Sequence, residues 1–232
     1  MLKLDSRIDF YYTYEPIVDS YGRIFCFEML TRLKMTNSGR NQCIFSELSP
    51  ELKIKIFINQ VSIIIGNARL YIENNILVSI NIDHDIAKFI HDDDEVCEIL
   101  KNAHYIRLEI NEFFPEFRHD SDGFLLSHLS SLCPLWLDDF GAGLTNLNTV
   151  MTKNFEYIKI DKNYFWKHRG TDSFLRTLSH IRPYTQGIII EGIEKDADMA
   201  CFEGISNLAM QGYKWPSFSQ ARFIRWALKK IH

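Results

Sequence analysis

The sequence predicts an α/β fold: a modified (β/α)8 TIM-type barrel with one antiparallel strand from an N-terminal hairpin. Two observations predict it. From Leu77 onward, short apolar runs alternate with amphipathic helical stretches, the pattern of a parallel sheet covered by helices. With the opening hairpin counted, eight strands fit into 232 residues, a length that suits such a barrel. Periodicity does not by itself close a sheet, so a doubly wound open sheet is the alternative.

The elements follow in order. Tyr11 to Val18 and Ile24 to Leu30 are rich in aromatic and β-branched residues, and Asp19-Ser20-Tyr21-Gly22 between them supplies turn chemistry for a hairpin. Cys43 to Asn67 carries helical spacing at Phe45, Leu48, Leu52, Ile56 and Ile63, with Pro50 suited to a first turn. Leu77 to Asn81 reads as a strand, followed by a polar helical stretch to Leu100. Tyr105 to Asn111 is a strand, followed by a helix near Phe124 to Leu132. The run Pro134 to Asp138 is a strand, and a short helix is expected from Leu144 to Met151. Strands at Tyr157 to Asp161 and Gly187 to Gly192 are followed by helices near Phe174 to Ile181 and Ala197 to Phe202. A short strand at Asn207 to Gln211 precedes an amphipathic helix, Gln220 to Ile231. No linker interrupts the pattern, so a single domain over 1–232 is expected.

Composition narrows the function. The chain is 46% apolar with a net charge of −4, and its Lys and Arg residues are scattered. That excludes a large nucleic-acid footprint but leaves room for a small anionic ligand. Five widely spaced cysteines show no metal-type spacing and read as reduced thiols. The start, MLKLDSRIDF, has no apolar core of a signal peptide. The longest apolar stretch, Ile54 to Ile65, is broken by Lys55, Asn59 and Gln60 and spans no membrane. A soluble cytoplasmic protein is the expectation.

In a barrel of this type, chemistry collects where the strands end at their C-terminal side. The polar residues there are Glu28 with Arg32 a few residues on, then Asn81, Glu109, the adjacent pair Asp138 and Asp139, Lys159 with Asp161, Glu191 and Gln211. Any one of them reads equally as a helix cap or a solvated strand end. Together they are harder to dismiss, because carboxylates gathered at one rim repel one another unless something positive sits among them. A divalent cation would do so. Oxygen ligands suit Mg²⁺ or Mn²⁺, and the lack of His and Cys argues against Zn²⁺. Side chains on neighbouring residues diverge, so Asp138 and Asp139 could each face a different ion. Paired ions clamp a phosphate and activate water, which points to metal-assisted hydrolysis of a phosphate ester. Trp136, Phe140, Trp215 and Phe218 lie near these residues, and simple packing is the expected role of each.

The segments FEMLTR (Phe27 to Arg32), SINID (Ser79 to Asp83), LEINE (Leu108 to Glu112), DDFG (Asp138 to Gly141), IKID (Ile158 to Asp161), EGIE (Glu191 to Glu194) and QGY (Gln211 to Tyr213) follow one another in this order. The series resembles that of the EAL-domain cyclic di-GMP phosphodiesterases, from about Tyr14 to about Trp226. It looks most like the short stand-alone members of the YhjH kind. The resemblance implies two Mg²⁺ or Mn²⁺ ions and hydrolysis of cyclic di-GMP to linear pGpG by in-line attack of metal-activated water. It implies that Glu28, Asn81, Glu109 and Asp138 hold one metal and Asp139 the other, with Glu191 supporting the metal and water site. It further implies that Lys159 contacts the attacking water, that Arg32 and Gln211 contact substrate, and that Glu112 braces the loop after Asp139. Asp161 and Glu194 match motif positions without a defined role.

The chain departs from the family pattern at Met29, at Ile190 and in the loop DDFGAGLTNL, which differs at Ala142, Leu144, Thr145 and Asn146. That loop is linked in the family to dimerisation and second-metal binding, so a homodimer and the strength of the second metal site depend on it. A role in bacterial signalling, favouring motility over attachment and biofilm, comes from the resemblance alone. Two other readings stand beside the enzyme: a module that grips a protein partner, and a cyclic di-GMP receptor that binds without cutting.

Overall fold

The computed structural model describes residues 9–34, 45–117, 123–142, 155–202, 205 and 207–231. Strands β1 (Asp9–Asp19) and β2 (Ile24–Lys34) form the expected hairpin, longer than the aromatic runs alone indicate. Asp19 closes its turn by accepting from the backbone N–H groups of Tyr21 and Arg23, and Gly22 takes the positive φ of 75°. Then come α1 (Pro50–Gly66), α2 (Ala68–Asn74) and β3 (Leu77–Ile82). Pro50 opens α1, and Ser49 caps it by accepting from Leu52 N–H. The stretch to Leu100 is two helices, α3 (His84–Asp92) and α4 (Asp94–Asn102), because Asp93 ends one and caps the next.

Strand β4 (Ile106–Asn111), helix α5 (Phe124–Leu132) and strand β5 (Leu135–Phe140) follow. The helix expected over 144–151 lies outside the described residues. Next are β6 (Tyr157–Ile160), α6 (Lys162–His168), α7 (Asp172–Ile181), β7 (Gly187–Ile190), α8 (Asp196–Ala200), β8 (Leu208–Gln211), the two-residue β9 (Phe218–Ser219) and α9 (Gln220–Ile231). Helix α6 is absent from the sequence expectation, because seven residues give too little periodicity. It starts where the Asp161 carboxylate accepts from the N–H groups of Asn163 and Tyr164.

The sheet closes into a barrel. Strands β2 to β8 pair in order and in parallel, and β1 completes the ring by pairing antiparallel with both β2 and β8. Strand β9 pairs with β1 outside the ring. The open-sheet alternative is thereby excluded. One apolar cluster lies between sheet and helices, and a second, small one holds Ile17, Cys26, Trp136, Ile189 and Ala209. Strand side chains alternate with period 2. Positions two residues beyond Cys26, Trp136, Ile189 and Ala209 therefore share their face, and these are Glu28, Asp138, Glu191 and Gln211. The same step runs from Arg107 to Glu109 and from Tyr157 to Lys159.

No described helix is long and apolar enough to cross a membrane.

Candidate active site

The interior register delivers Glu28, Glu109, Asp138, Lys159, Glu191 and Gln211 to one end of the barrel, where the parallel strands finish. Lys159 is at its centre, with its side chain only 1% exposed. The Nζ atom lies 2.8 Å from Glu109 Oε2, 3.0 Å from Asp138 Oδ1, 3.0 Å from Glu191 Oε1 and 3.1 Å from Glu28 Oε2. The sequence reading places Lys159 at this rim but gives the balancing of the carboxylates to a metal. The structure shows that the chain also supplies a positive group of its own.

Glu28 is the best-served carboxylate. Besides Lys159 it accepts from Asn81 Nδ2 at 2.7 Å and from Gln211 Nε2 at 2.7 Å. Burial alone would raise its pKa, but the Lys159 charge and the three hydrogen bonds outweigh burial and hold it below the usual carboxylate value. The others move the opposite way. Burial, with the Glu28 charge next, pushes Glu109 well above its ordinary value. Asp138 is raised by burial, only partly offset by Lys159. Asp139 is pushed to about 6 by burial and by Asp138. Glu191 is pushed to about 8, again by burial first. Lys159 stays charged: burial disfavours its ammonium, but Asp138, Glu109, Glu191 and Glu28 together raise it well above its ordinary value.

Asp138 and Asp139 are reconciled with strand geometry by a break in it. A regular strand would send Asp139 to the outer face. The pairing of β5 with β6 shifts register between Leu137 and Phe140, and Asp139 takes a φ of +59°. Such a bulge re-aims a side chain, and a left-handed Asp is one of the few non-glycine residues that tolerate it. The carboxylates then form two groups whose oxygens lie within 4.8 Å of one another: Glu28, Glu109 and Asp138, and Asp138, Asp139 and Glu191. Asp139 belongs to the second group alone, and Asp138 belongs to both. Hard oxygen donors in two clusters fit a divalent cation. So does Glu109 Oε1, which is buried without a hydrogen-bond partner.

Beside the carboxylates a cavity of about 280 Å³ is lined by Glu28, Asp138, Lys159, Glu191, Gln211 and Arg32 among others. A neighbouring cavity of about 410 Å³ holds Asn81 and shares Arg32. Arg32 is held at this mouth by Glu15, 2.6 Å from its Nη2, and by Thr13 Oγ1, 3.2 Å from its Nε. Sequence reasoning missed Glu15: a regular count back from the hairpin turn sets it opposite Phe27, and only the register shift between Ile17 and Val18 brings it opposite Glu28. It missed Lys162, Trp166 and Tyr213 too, which line the outer part of the cavity. Trp166 donates from its indole to Gly192 O at 2.8 Å, a contact between α6 and the exit of β7 that no local pattern announces.

The remaining expectations separate. Asp161 is a helix cap, the bland reading of a strand-end aspartate. Glu112 is buried, and most of the loop it was expected to brace lies outside the described residues. Gln211 is fixed by the knitting of two exits: Ile193 N–H donates to Gln211 O and Lys214 N–H to Ile193 O, both at 3.1 Å. Gly212 is required there, because a Cβ would stand 2.3 Å from Ile193 O. Trp136, Phe140 and Phe218 are buried in the core, and Trp215 packs against it.

The sequence matches the EAL domain family over residues 3–216. It is 26% identical to the cyclic di-GMP phosphodiesterase PdeH of Escherichia coli K12, across 87% of this chain and 81% of that protein. It is 23% identical to the anti-FlhC(2)FlhD(4) factor YdiV of Salmonella arizonae, across 90% of this chain and 92% of that protein. Among solved structures, the EAL-like domain protein YdiV superposes with a TM-score of 0.82 at 22% identity, covering 99% of both chains.

Proposed function

The chain belongs to the EAL domain family, and from that premise we propose that its rim binds cyclic di-GMP and hydrolyses it to linear pGpG. The observation that carries this reading is the pair of carboxylate groups sharing Asp138, complete and gathered around Lys159. A binding module needs no such concentration of buried charge, and like charges held together cost stability. The naming of PdeH as a cyclic di-GMP phosphodiesterase supports the same reading.

Glu28, Asn81, Glu109 and Asp138 would hold one ion of the Mg²⁺ or Mn²⁺ class, and Asp138, Asp139 and Glu191 the other. When bound, such ions supply Lewis-acid activation of water and stabilise charge on the phosphate oxygens. The chain's own groups do the rest. Gln211 and Asn81 fix the Glu28 carboxylate by donating to its two oxygens. Before metal loads, Lys159 keeps Glu28 ionised, and its ammonium supplies a positive charge near the reacting phosphate. Arg32, braced by Glu15 and Thr13, presents its remaining N–H donors to a phosphate at the cavity mouth. Glu112 supports the loop after Asp139.

The test is incubation of the protein with cyclic di-GMP and Mg²⁺ or Mn²⁺, followed by separation of cyclic and linear dinucleotides. Conversion to pGpG with little GMP, abolished by chelator, is expected. Dinucleotide that stays intact in both metals would overturn the reading.

A second reading is that of a regulator that does not hydrolyse. Two observations favour it: the relatives named YdiV, and a carboxylate cluster already balanced in part by Lys159. Binding without conversion would assign a cyclic di-GMP receptor. Neither binding nor conversion would leave a module for a protein partner.

A further inference from the structure

The Lys159 ammonium and a divalent ion need the same oxygen atoms. Nζ lies within 2.8–3.1 Å of all three members of the first carboxylate group, Glu28, Glu109 and Asp138, and 3.0 Å from Glu191 in the second. An ammonium has three N–H donors, so four carboxylates oversubscribe it. The mismatch is visible: Glu109 Oε1 and Asp138 Oδ1 are buried without hydrogen-bond geometry to any partner, although Asp138 Oδ1 is only 3.0 Å from Nζ. Lys159 therefore lowers the repulsion without satisfying the ligands.

We propose that Lys159 is a resident counter-cation that competes with divalent metal for this rim, so that metal loading and displacement of the ammonium are a single step. The proposal rests on the reading of the rim as a metal site. Two cations cannot both sit against Glu28, Glu109 and Asp138 without strong mutual repulsion. The flexible four-carbon stem of lysine lets its charge move while its backbone stays fixed in β6. The lysine thus holds the barrel end together when metal is scarce and sets the metal concentration at which the site loads.

The test uses Mn²⁺ alone, with no dinucleotide, reading unbound Mn²⁺ by electron paramagnetic resonance. Lys159→Met keeps an unbranched side chain one atom shorter and removes its charge. It should bind Mn²⁺ at least about tenfold more tightly than wild type, a modest share of the repulsion expected between charges a few ångströms apart. Equal or weaker binding overturns the proposal. A second background guards against misfolding, because four carboxylates without the ammonium strain the fold. Glu109→Gln removes one of those charges, and adding Lys159→Met to it should again tighten Mn²⁺ binding relative to Glu109→Gln alone. Absence of Mn²⁺ binding by wild type and Lys159→Met alike would overturn both the competition and the metal site. Equal binding by both would overturn the competition and leave the metal site standing. Turnover does not enter, so the outcome is the same for a chain that never hydrolyses cyclic di-GMP.

Discussion

The two ends of the barrel interior handle buried charge in opposite ways. At the end where the parallel strands begin, Arg107 meets Glu156 through two nitrogens, Nε and Nη2, and Trp136 donates to the same carboxylate from its indole at 2.8 Å. One cation faces one anion there, and Arg107 spends a further nitrogen on the carbonyl oxygens of His104 and Ile106. At the other end a single Lys159 faces four carboxylates, and buried oxygens are left without partners. A charge-matched, hydrogen-bonded pair is what structure needs. An excess of one sign, held against its own repulsion, marks a place where the fold gives up stability for binding or chemistry.

The comparison breaks first, and with the largest effect, if the two ends respond alike to mutation. Glu109→Gln should lower cyclic di-GMP turnover by at least about a hundredfold, a loss of roughly 2.7 kcal/mol or more of transition-state stabilisation. It should leave the melting temperature unchanged or raised, since it relieves crowding. Glu156→Ala should do the reverse. Orphaning Arg107 should cost about 3 kcal/mol, near the lower end for breaking a buried pair, or roughly 6–12 °C in melting temperature, while the folded fraction keeps its turnover. Melting curves and rates of both variants decide it. A Glu109→Gln protein that melts low and works normally would erase the distinction.

Metal sharpens the contrast next. Mn²⁺ at about 100 times its dissociation constant should stabilise the protein by about 2.7 kcal/mol. Asp139→Asn should reduce that gain while leaving the chelated protein at least as stable as wild type. The gain should persist in Glu156→Ala. A Mn²⁺ shift untouched by Asp139→Asn would remove Asp139 from the metal site.

The pH dependence of the chelated protein is a smaller effect with a definite sign. The Glu191 carboxyl moves from an ordinary 4.5 to about 8, and that of Asp139 from 3.8 to about 6. In these windows the folded chain binds more protons than the unfolded one, so stability falls as pH rises. The chelated protein should therefore melt lower at pH 8 than at pH 6, and saturating Mn²⁺ should flatten the difference. A chelated protein that melts higher at pH 8 would mean the carboxylates are not crowded as described.

The smallest effect belongs to Glu15, at the edge of the acidic end and partly exposed. Glu15→Gln removes a charge that faces both Arg32 and Glu28, so an anionic dinucleotide should bind more tightly by about 0.2–1 kcal/mol, the scale of an exposed pair. Calorimetry of both proteins in the same metal would read it; weaker binding would recast Glu15 as an aid to Arg32.

Much of this was written in the chain locally. Apolar runs of strand length alternating with helical patterns carry the barrel, because burial on both faces of a parallel strand needs near-continuous apolar residues. The polar residues that end those runs carry the rim, because period 2 places Glu28, Glu109, Asp138, Lys159, Glu191 and Gln211 on one face, four of them two residues beyond the buried Cys26, Trp136, Ile189 and Ala209. Short helices such as α6 and the α3–α4 division at Asp93 were not legible, since seven to nine residues hold too few turns to show a period.

What only the tertiary structure decided is distance across the chain. Closure depends on β1 pairing with β8 as well as β2, a contact no local pattern encodes. Lys159 finds Glu28 across 131 residues and Glu109 across 50, so its place as the central cation emerges only when the ring shuts. Asp139 joins Asp138 on the inner side because a bulge overrides the alternation that the sequence implies. Asp139 aside, the sequence determined which of these groups face inward, since side-chain direction is local. Which charges meet is a sum over the whole fold, since electrostatic energy depends on distance in space and not along the chain.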